Sequence, residues 1–294
     1  MHLQPATRRK VPIRCALQGP SGSGKTYSAL LLAYGLCKSW NQLAVIDTEA
    51  GSSHLYSHLG PFNVLQLSAP FTPERYCEAI DACIKAGASV IILDSASHEW
   101  EYLLDYHSNL PGNSFTNWAK VTPRHNQFLQ KMLHAPTHII ATLRTKQDYV
   151  LTDKNGKMVP EKVGLKSVQR DGLEYEFTLV LDLDMRNNAS ASKDRTGLFF
   201  GKPEFVITEQ TGELIASWCD TGSDTTEAAV KLLVEGCNSL PELVALFNQY
   251  PSFQEPLRQQ FEQRKRQLQA TENQTSQTTQ TPSQNGIANT SSHR

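Results

Sequence analysis

Short runs of apolar residues alternate along the chain with segments in which apolar residues recur at helical spacing. The continuous runs have the length of strands buried on both faces and cover residues 13–17, 43–46, 90–93, 138–143 and 177–183. After the first run, Ala29, Ala33 and Leu36 return every three or four positions, as on one face of a helix. Strands that alternate with helices predict an α/β fold with a mostly parallel sheet and helices on both faces.

Proline and glycine positions predict where several elements begin and end. The Thr-Pro pairs at residues 72–73 and 122–123 each have the sequence of a helix start, with proline at the first helical position. Two apolar segments near the end of the sheet, residues 205–207 and 214–216, are separated by the turn-forming Thr-Gly pair at residues 211–212. They predict an antiparallel hairpin that completes the sheet.

The composition and the hydrophobic pattern of the sequence change at three points, which divide the chain into four segments. Residues 1–12 predict a flexible leader, and residues 13–219 contain the alternating strands and helices of one domain. Residues 220–269 have a helical pattern and predict a small appendix. Residues 270–294 consist mainly of Gln, Thr, Asn and Ser, which cannot build a core, so we expect a disordered tail.

The segment between the first predicted strand and the first predicted helix carries a phosphate-binding pattern. It matches G-x-x-x-x-G-K-[ST] and comprises Gly19, Pro20, Ser21, Gly22, Ser23, Gly24, Lys25 and Thr26, with Tyr27 following. In this pattern the glycines let backbone N–H groups converge on phosphate oxygens at a helix N-terminus. Lys25 would reach the terminal phosphates of ATP, and the Thr26 hydroxyl would bind Mg²⁺.

Two acidic residues at strand ends belong to the predicted catalytic set. Asp94 follows the third strand, where a carboxylate can hold the metal ion through its water shell. Ser95 comes next, so the group that activates the attacking water must lie elsewhere. Glu49 at the end of the second strand is favoured, because open α/β sheets bind ligands at the carboxyl ends of their strands. Glu99 and Glu101 are the alternatives.

Cationic side chains follow or precede two further strands. Arg144 follows the fourth predicted strand, where it would touch the terminal phosphate or respond to its loss; a basic strand end facing water is the alternative. Lys193 and Arg195 are separated by one residue and precede a predicted strand near the end of the domain. Such a pair can serve as an arginine finger for a neighbouring subunit, since cations supplied in trans stabilise charge on the transferring phosphoryl group. A charged surface turn is the alternative.

The overall charge excludes proteins that coat nucleic acid through bulk positive charge. The chain of 294 residues has 28 Lys and Arg against 29 Asp and Glu, a formal net charge of −1. Residues 144–170 nevertheless contain seven cations and three acids, a local net charge of +4. The sequence has no apolar run of about 18 residues, and its first residues lack the apolar centre of a secretory signal, so we expect a cytoplasmic protein.

The ordered set of motifs is similar to that of RecA-like P-loop ATPases. Its members are GPSGSGKT, VIDTEAGS, VIILDSASHEW, ATLRTK, QRDGLEYEF, SKDRTGLF and FVITEQTG. Over roughly residues 11–218 they most closely resemble the AAA-domain ATPases of bacteriophage recombination genes. The resemblance implies a five-stranded RecA-type core with Glu49 as the water-activating residue. It also implies an oligomer in which Lys193 and Arg195 reach across a subunit interface.

The resemblance further implies single-stranded DNA as a partner, bound by loops after the third and fourth strands. The basic stretch corresponds to the second loop, and its candidate contacts are Lys146, Tyr149, Lys154, Lys157, Lys162, Lys166 and Arg170. Asn155-Gly156 predicts the turn of a hairpin there. The other loop offers Tyr106, Phe115 and Trp118 as stacking rings. Solvated lysines and aromatic rings packed into the core are the alternative interpretation.

These observations favour an oligomeric ATPase that couples ATP hydrolysis to single-stranded DNA in recombination, annealing or repair. RecA recombinases have a glutamine at the end of the fourth strand, whereas this chain has Thr142, Leu143 and Arg144. The motifs therefore do not specify how the terminal phosphate would be coupled to the DNA loop. A P-loop phosphotransferase for small molecules and an ATP-dependent scaffold with weak turnover are the alternatives.

Overall fold

The computed structural model describes residues 8–154, 157–221 and 227–277. The predicted leader up to residue 7, the Asn155-Gly156 turn and the predicted tail from residue 278 lie outside these ranges. The chain divides into two compact units. One is Lys10–Gly222, and the other combines Met1–Arg9 with Ser223–Arg294.

A mixed β-sheet forms the centre of the first unit. Its strands are β1 (Arg14–Gly19), β2 (Leu43–Asp47), β3 (Asn63–Gln66), β4 (Val90–Asp94), β5 (His138–Lys154), β6 (Lys157–Ser167), β7 (Leu179–Leu183), β8 (Asn188–Asp194) and β9 (Phe205–Val206). The order across the sheet is β3-β2-β4-β5-β1-β7-β8-β9. In this order, each neighbouring pair from β3 across to β7 is parallel. β8 pairs antiparallel with β7, and β9 pairs antiparallel with β8. The predicted α/β class with a mostly parallel sheet is confirmed.

Helices cover both faces of this sheet. They are α1 (Lys25–Cys37), α2 (Pro73–Lys85), α3 (Ser97–Ser108), α4 (Ser114–His134) and α5 (Glu209–Asp220). β4 shows how one strand serves both layers. Val90 and Ile92 pack with the side chains of α1 and α5, while Ile91 and Leu93 pack with those of α2 and α4. Burial on both faces explains the continuous apolar run in the sequence.

The sheet has one parallel strand more than the five-stranded core implied by the sequence motifs. The extra strand is β3, which pairs with β2 at the edge of the sheet. Its sequence is Asn-Val-Leu-Gln, and its residues are partly or fully exposed. A short edge strand therefore lacks the apolar run that marks the buried strands, which is why its sequence did not predict it.

The helix expected to start at Thr122-Pro123 begins earlier, at Ser114, and contains Pro123 in its interior. The Asn113 side chain caps it by accepting a hydrogen bond from the Phe115 N–H at 2.8 Å. Buried residues of α4 lie on both sides of Pro123, and their packing holds one helix through the proline. The boundary prediction was wrong because a Thr-Pro pair is typical of a helix start. The other predicted start is confirmed, since Thr72 caps α2.

The predicted hairpin at residues 205–216 was wrong in its second half. Residues 214–216 belong to α5, whereas Phe205–Val206 forms the edge strand β9, which pairs antiparallel with β8. Gly212 lies in the contact between α5 and α1. A Cβ atom added there would come within 2.2 Å of the Leu32 carbonyl oxygen and 2.7 Å of the Gly35 Cα. The glycine thus permits a close helix–helix approach rather than a turn.

Among its described residues, the second unit contains three α-helices, α6 (Glu227–Gly236), α7 (Leu240–Gln249) and α8 (Arg258–Gln277). Its small core includes Val230, Leu243 and Phe261, one from each helix. α8 extends to Gln277, past residue 269, where the helical appendix was predicted to end. In the described parts of the chain, none of the helices is long and apolar enough to cross a membrane.

We expect His138 to make the first unit sensitive to acid. Its Nδ1 accepts a hydrogen bond from the Ile13 N–H at 3.1 Å, which requires an unprotonated nitrogen. Burial, together with nearby Arg14, lowers the pKa of His138 to about 4. A His pKa below its unfolded value contributes stability at neutral pH, and this contribution is lost progressively as the pH falls from the unfolded pKa of about 6.5 to the folded pKa.

By linkage, acidification to about pH 5 should remove about 2 kcal/mol from the free energy of unfolding through this one group. Urea unfolding of His138→Gln at neutral and acid pH measures the effect, because the variant should lose less stability on acidification. His134→Gln, at an exposed position on α4, is the matched control. Equal acid sensitivity of His138→Gln and the unchanged chain would contradict the prediction.

Candidate functional site

The phosphate-binding pattern forms the turn between β1 and α1, as predicted. Gly22 and Gly24 have φ values of 85° and 78°, a left-handed conformation that residues with a Cβ rarely adopt. The Ser23 N–H donates to the Pro20 carbonyl at 3.2 Å and closes the turn. α1 begins at Lys25, so the positive end of its dipole lies at the loop. The turn has the backbone geometry of an anion site.

The Lys25 side chain folds back over the loop and hydrogen-bonds to its first residues. Its Nζ donates to the carbonyl oxygens of Gly19 and Pro20 at 2.9 and 2.8 Å. Burial lowers the pKa of the ammonium group, and the carboxylates of Asp94 and Glu49 oppose that shift. The acceptors of these two hydrogen bonds are neutral carbonyls, so an anionic phosphate oxygen would bind Lys25 more strongly.

Asp94 ends β4 and accepts hydrogen bonds from two threonine hydroxyls. Thr26 Oγ1 donates to Asp94 Oδ2 at 2.7 Å, and Thr142 Oγ1 donates to Asp94 Oδ1 at 2.6 Å. Asp94 is 2% exposed. Burial raises its pKa, while the two hydroxyl donors act to lower it. Hard oxygen ligands of this kind suit Mg²⁺, so Thr26 and Asp94 fit the metal role assigned from the sequence.

Glu49 lies two residues beyond β2 and pairs with Arg144. Arg144 Nε and Nη2 donate to Glu49 Oε1 at 3.0 and 2.9 Å. β2 is the neighbour of β4, and Asp47 at its end is in register with Asp94. Parallel pairing therefore brings the favoured catalytic carboxylate to the same edge of the sheet as the metal-site carboxylate.

These side chains line one cleft at the carboxyl ends of the parallel strands. Its lining comprises Ser21, Gly22, Gly24, Lys25, Thr26, Glu49, Ser52, Leu55, Tyr56, Asp94 and Arg144. The lining residues lie in the segments that follow β1 and β2, except Asp94, which ends β4, and Arg144, which belongs to β5. A phosphate loop, two cations and two carboxylates converge there, which is the set of groups that phosphoryl transfer to water requires.

The model of one protein family, described as AAA domain, matches residues 11–216. The chain belongs to this family. A comparison with curated proteins gives no match. Proteins with an AAA domain bind nucleotide through a P-loop and are generally ATPases, so the chain is a nucleotide-binding ATPase in this broad sense.

Three residues of the AAA domain line the cleft without having been singled out in the sequence. Ser52, Leu55 and Tyr56 belong to a 3-10 helix, Ser52–Tyr56, which is too short to show a hydrophobic period. The ring of Tyr56 lies 5.9 Å from that of Tyr27, measured between centroids. Tyr27, the last residue of the predicted nucleotide set, is not among the lining residues and contacts the cleft residue Tyr56 instead.

The two alternative glutamates of the AAA domain occupy other positions on α3. Glu99 is completely buried, and His125 Nδ1 lies 3.2 Å from both of its carboxylate oxygens. Burial raises the pKa of Glu99, and the contact with His125 opposes that shift. Glu101 is exposed. Of the three candidate glutamates, Glu49 is the one that the structure brings to the cleft.

The basic stretch of the AAA domain forms an antiparallel ribbon of β5 and β6. Arg144 is paired with Gly19 of β1 in the parallel sheet, and the next residue, Thr145, already pairs with Ser167 of β6. The ribbon ladder continues to the pair Lys154 and Lys157. This pairing shows two antiparallel strands on either side of the predicted Asn155-Gly156 turn, which itself lies outside the described residues. It makes the ribbon a direct continuation of a strand that borders the cleft.

The cationic candidates on this ribbon, and Arg170 just beyond its end, have different surroundings. Lys146 is exposed near the base of the ribbon. Lys166 Nζ lies 2.8 Å from Asp171 Oδ1, and Arg170 Nη1 donates to Asn126 Oδ1 at 3.4 Å. The remaining candidates, whose side chains lie outside the described part of the structure, are Tyr149, Lys154, Lys157 and Lys162.

The other segment expected to contact DNA, residues 106–118, is largely helical: Tyr106 lies at the end of α3, and Phe115 and Trp118 lie at the start of α4. Most of its aromatic rings are packed. Trp118 stacks on His107 with 4.1 Å between ring centroids, and Tyr106 stacks on Tyr102. Phe115, in contrast, is 85% exposed. The alternative of rings packed within the protein therefore describes Tyr106 and Trp118, while Phe115 is accessible to a ligand.

Lys193 and Arg195 lie away from the phosphate loop of their own chain. Lys193 pairs with Val180 near the start of β7, whereas the phosphate loop is next to Leu183 at the end of β7. Lys193 Nζ donates to the Glu174 carbonyl at 3.0 Å, and Arg195 Nη2 donates to the Tyr175 carbonyl at the same distance. The pair therefore lies toward the opposite edge of the sheet from the cleft.

Proposed function

We propose that this AAA domain protein hydrolyses ATP with Mg²⁺ and couples its nucleotide state to single-stranded DNA in recombination, annealing or repair. Membership of the AAA domain family supports the nucleotide chemistry. The position of Arg144 supports the proposed coupling between ATP and DNA. Its side chain lines the cleft, and its backbone continues directly into the basic ribbon. The resemblance of the motifs to bacteriophage recombination ATPases supports DNA as the polymer.

In the proposed reaction, some residues of the cleft bind phosphate and metal, and another activates water. The loop at residues 19–26 and the Lys25 ammonium bind the phosphates. Thr26 and Asp94 would hold Mg²⁺, which neutralises charge on the phosphate oxygens when it is bound. Glu49 orients the attacking water and accepts its proton, because Asp94 is committed to the metal.

Arg144 connects the cleft to the ribbon through its side chain and its backbone. Its N–H donates to Ser97 Oγ at 3.0 Å, and its carbonyl accepts from the Val168 N–H at 2.7 Å, just after β6. A terminal phosphate would compete with Glu49 for the guanidinium, since phosphate is a strong bidentate partner of arginine. Nucleotide binding would then free the Glu49 carboxylate from Arg144, so that it could contact the attacking water. It would also alter the position of Arg144, whose backbone contacts lie where the ribbon begins.

In the proposed assembly, copies of the chain form a homo-oligomer with ATP between subunits. Lys193 and Arg195 then act on the ATP of a neighbour, where their charge stabilises the transferring phosphoryl group. Their distance from the phosphate loop of their own chain supports action in trans rather than in cis. The carbonyls of residues 174 and 175 hold both side chains in place.

We expect single-stranded DNA to raise the ATPase rate, with an affinity that falls as salt increases. The ribbon stretch has a net charge of +4 in a chain of net charge −1, so DNA contacts should concentrate there. Lys146→Glu should weaken DNA binding several-fold at low salt and leave the rate without DNA unchanged. Lys85→Glu, at an exposed position at the end of α2, is the matched control.

ATP turnover with and without a single-stranded oligonucleotide, followed by phosphate release and by fluorescence anisotropy, tests this proposal. Free phosphate supports hydrolysis, whereas a phosphorylated small molecule would indicate a phosphotransferase. Turnover that does not respond to DNA at low salt, together with the same DNA affinity in both lysine variants, would remove the DNA part of the proposal.

A further inference from the structure

The loop that carries Glu49 is wound around one buried carboxylate. Asp47 Oδ1 accepts from the N–H groups of Glu49 and Gly51 at 2.7 and 3.3 Å. Asp47 Oδ2 accepts from the N–H and the hydroxyl of Ser53 at 2.9 and 2.5 Å. Four donors on one acceptor group fix the course of residues 49–53. The backbone of this loop is therefore held in place without a ligand.

Ser52 is the residue of this loop whose hydroxyl the fold leaves unused. Its N–H donates to the Glu49 carbonyl at 3.2 Å, which places Ser52 one turn from the candidate catalytic carboxylate. Its Oγ is buried from solvent and has no hydrogen-bond partner among the residues that the structure describes. A buried hydroxyl without a partner is unfavourable, and native proteins rarely keep one without a reason.

The surroundings of Ser52 indicate which kind of partner the hydroxyl meets. Ser52 lines the cleft together with Lys25, Thr26 and Arg144. The cations of the cleft attract an anion, and the Ser52 hydroxyl needs an acceptor. A phosphate oxygen meets both requirements, since it carries negative charge and accepts hydrogen bonds. The neighbouring Ser53 hydroxyl cannot serve in this way, because it already donates to Asp47.

We propose that the Ser52 hydroxyl donates a hydrogen bond to the terminal phosphate of a bound nucleoside triphosphate and thereby distinguishes triphosphate from diphosphate. The proposal rests on the proposed nucleotide site and adds a substrate-contacting residue to it. The terminal phosphate is the relevant group because the water-activating Glu49 belongs to the same Asp47-centred loop. Loss of that phosphate on hydrolysis would leave the hydroxyl without its acceptor again and weaken the hold on the product.

The test compares Ser52→Ala with the unchanged chain by isothermal titration of a slowly hydrolysed ATP analogue and of ADP, each with Mg²⁺. A hydrogen bond to a charged group corresponds to a loss of about tenfold or more in affinity for the triphosphate. Affinity for ADP should stay within about twofold, and Ser52→Thr, which keeps the hydroxyl, should retain the preference. Ser57→Ala, an exposed serine just after the 3-10 helix, is the control.

Thermal unfolding separates this role from a structural one. Removal of a hydroxyl that has no partner in the free protein should leave the melting temperature of Ser52→Ala unchanged or raise it. Equal losses for both nucleotides, or no loss for either, would overturn the Ser52 proposal. If the unchanged chain binds and Lys25→Ala does not, such a result leaves the nucleotide site standing. Absence of nucleotide binding in the unchanged chain overturns both.

Discussion

Glu49→Gln is expected to stop ATP hydrolysis while ATP remains bound. Glutamine keeps the size of the side chain but cannot accept the proton of the attacking water, and loss of a general base lowers turnover by about 10²- to 10⁴-fold. The phosphate contacts of the loop and Lys25 do not involve this carboxylate, so the dissociation constant of ATP should change by only a few-fold. Single-turnover phosphate release and equilibrium nucleotide binding measure the two quantities.

Two controls give this result its meaning. Glu101→Gln, at an exposed position on α3, should hydrolyse ATP normally, because that side chain does not line the cleft. Lys25→Ala should lose nucleotide binding itself, since it removes the cation at the centre of the loop. Unimpaired turnover in Glu49→Gln would show that another group activates the water.

Gly212→Ala is expected to destabilise the AAA domain by about 3 kcal/mol, or about 10 °C in melting temperature. Alanine normally favours a helix over glycine by about 1 kcal/mol, so a loss would reverse the usual sign. The reason is the Cβ position, which lies 2.2 Å from the Leu32 carbonyl oxygen and 2.7 Å from the Gly35 Cα. Both are backbone atoms, and relief of the overlap requires α1 and α5 to move apart.

Ser217→Ala provides the comparison, because Ser217 is exposed on the same helix and its replacement adds no atom to the contact. Its free energy of unfolding should stay within about 0.5 kcal/mol of that of the unchanged chain. Chemical denaturation of the two variants measures the difference. A stability gain in Gly212→Ala would mean that α1 and α5 do not pack through these glycines.

Several parts of the site could be predicted because their chemistry is local in sequence. The phosphate loop is a short stretch whose glycines must adopt left-handed φ values, and Gly22 and Gly24 do so. Asp94 could be placed because a buried parallel strand is a continuous apolar run, and the residue after it lies at the ligand-binding edge. The edge strand β3 and the 3-10 helix Ser52–Tyr56 lack such patterns, so neither was predicted.

The sequence by itself determined the α/β class, the phosphate loop and the strand ends at which Glu49 and Asp94 lie, because short-range periodicity and backbone conformation encode them. Tertiary structure alone decided that Arg144 pairs with Glu49, that Glu99 is buried against His125, and that Gly212 is a helix contact instead of a turn. Each of these depends on segments far apart in the chain. Their relative position follows from strand order and helix packing, which local patterns do not specify.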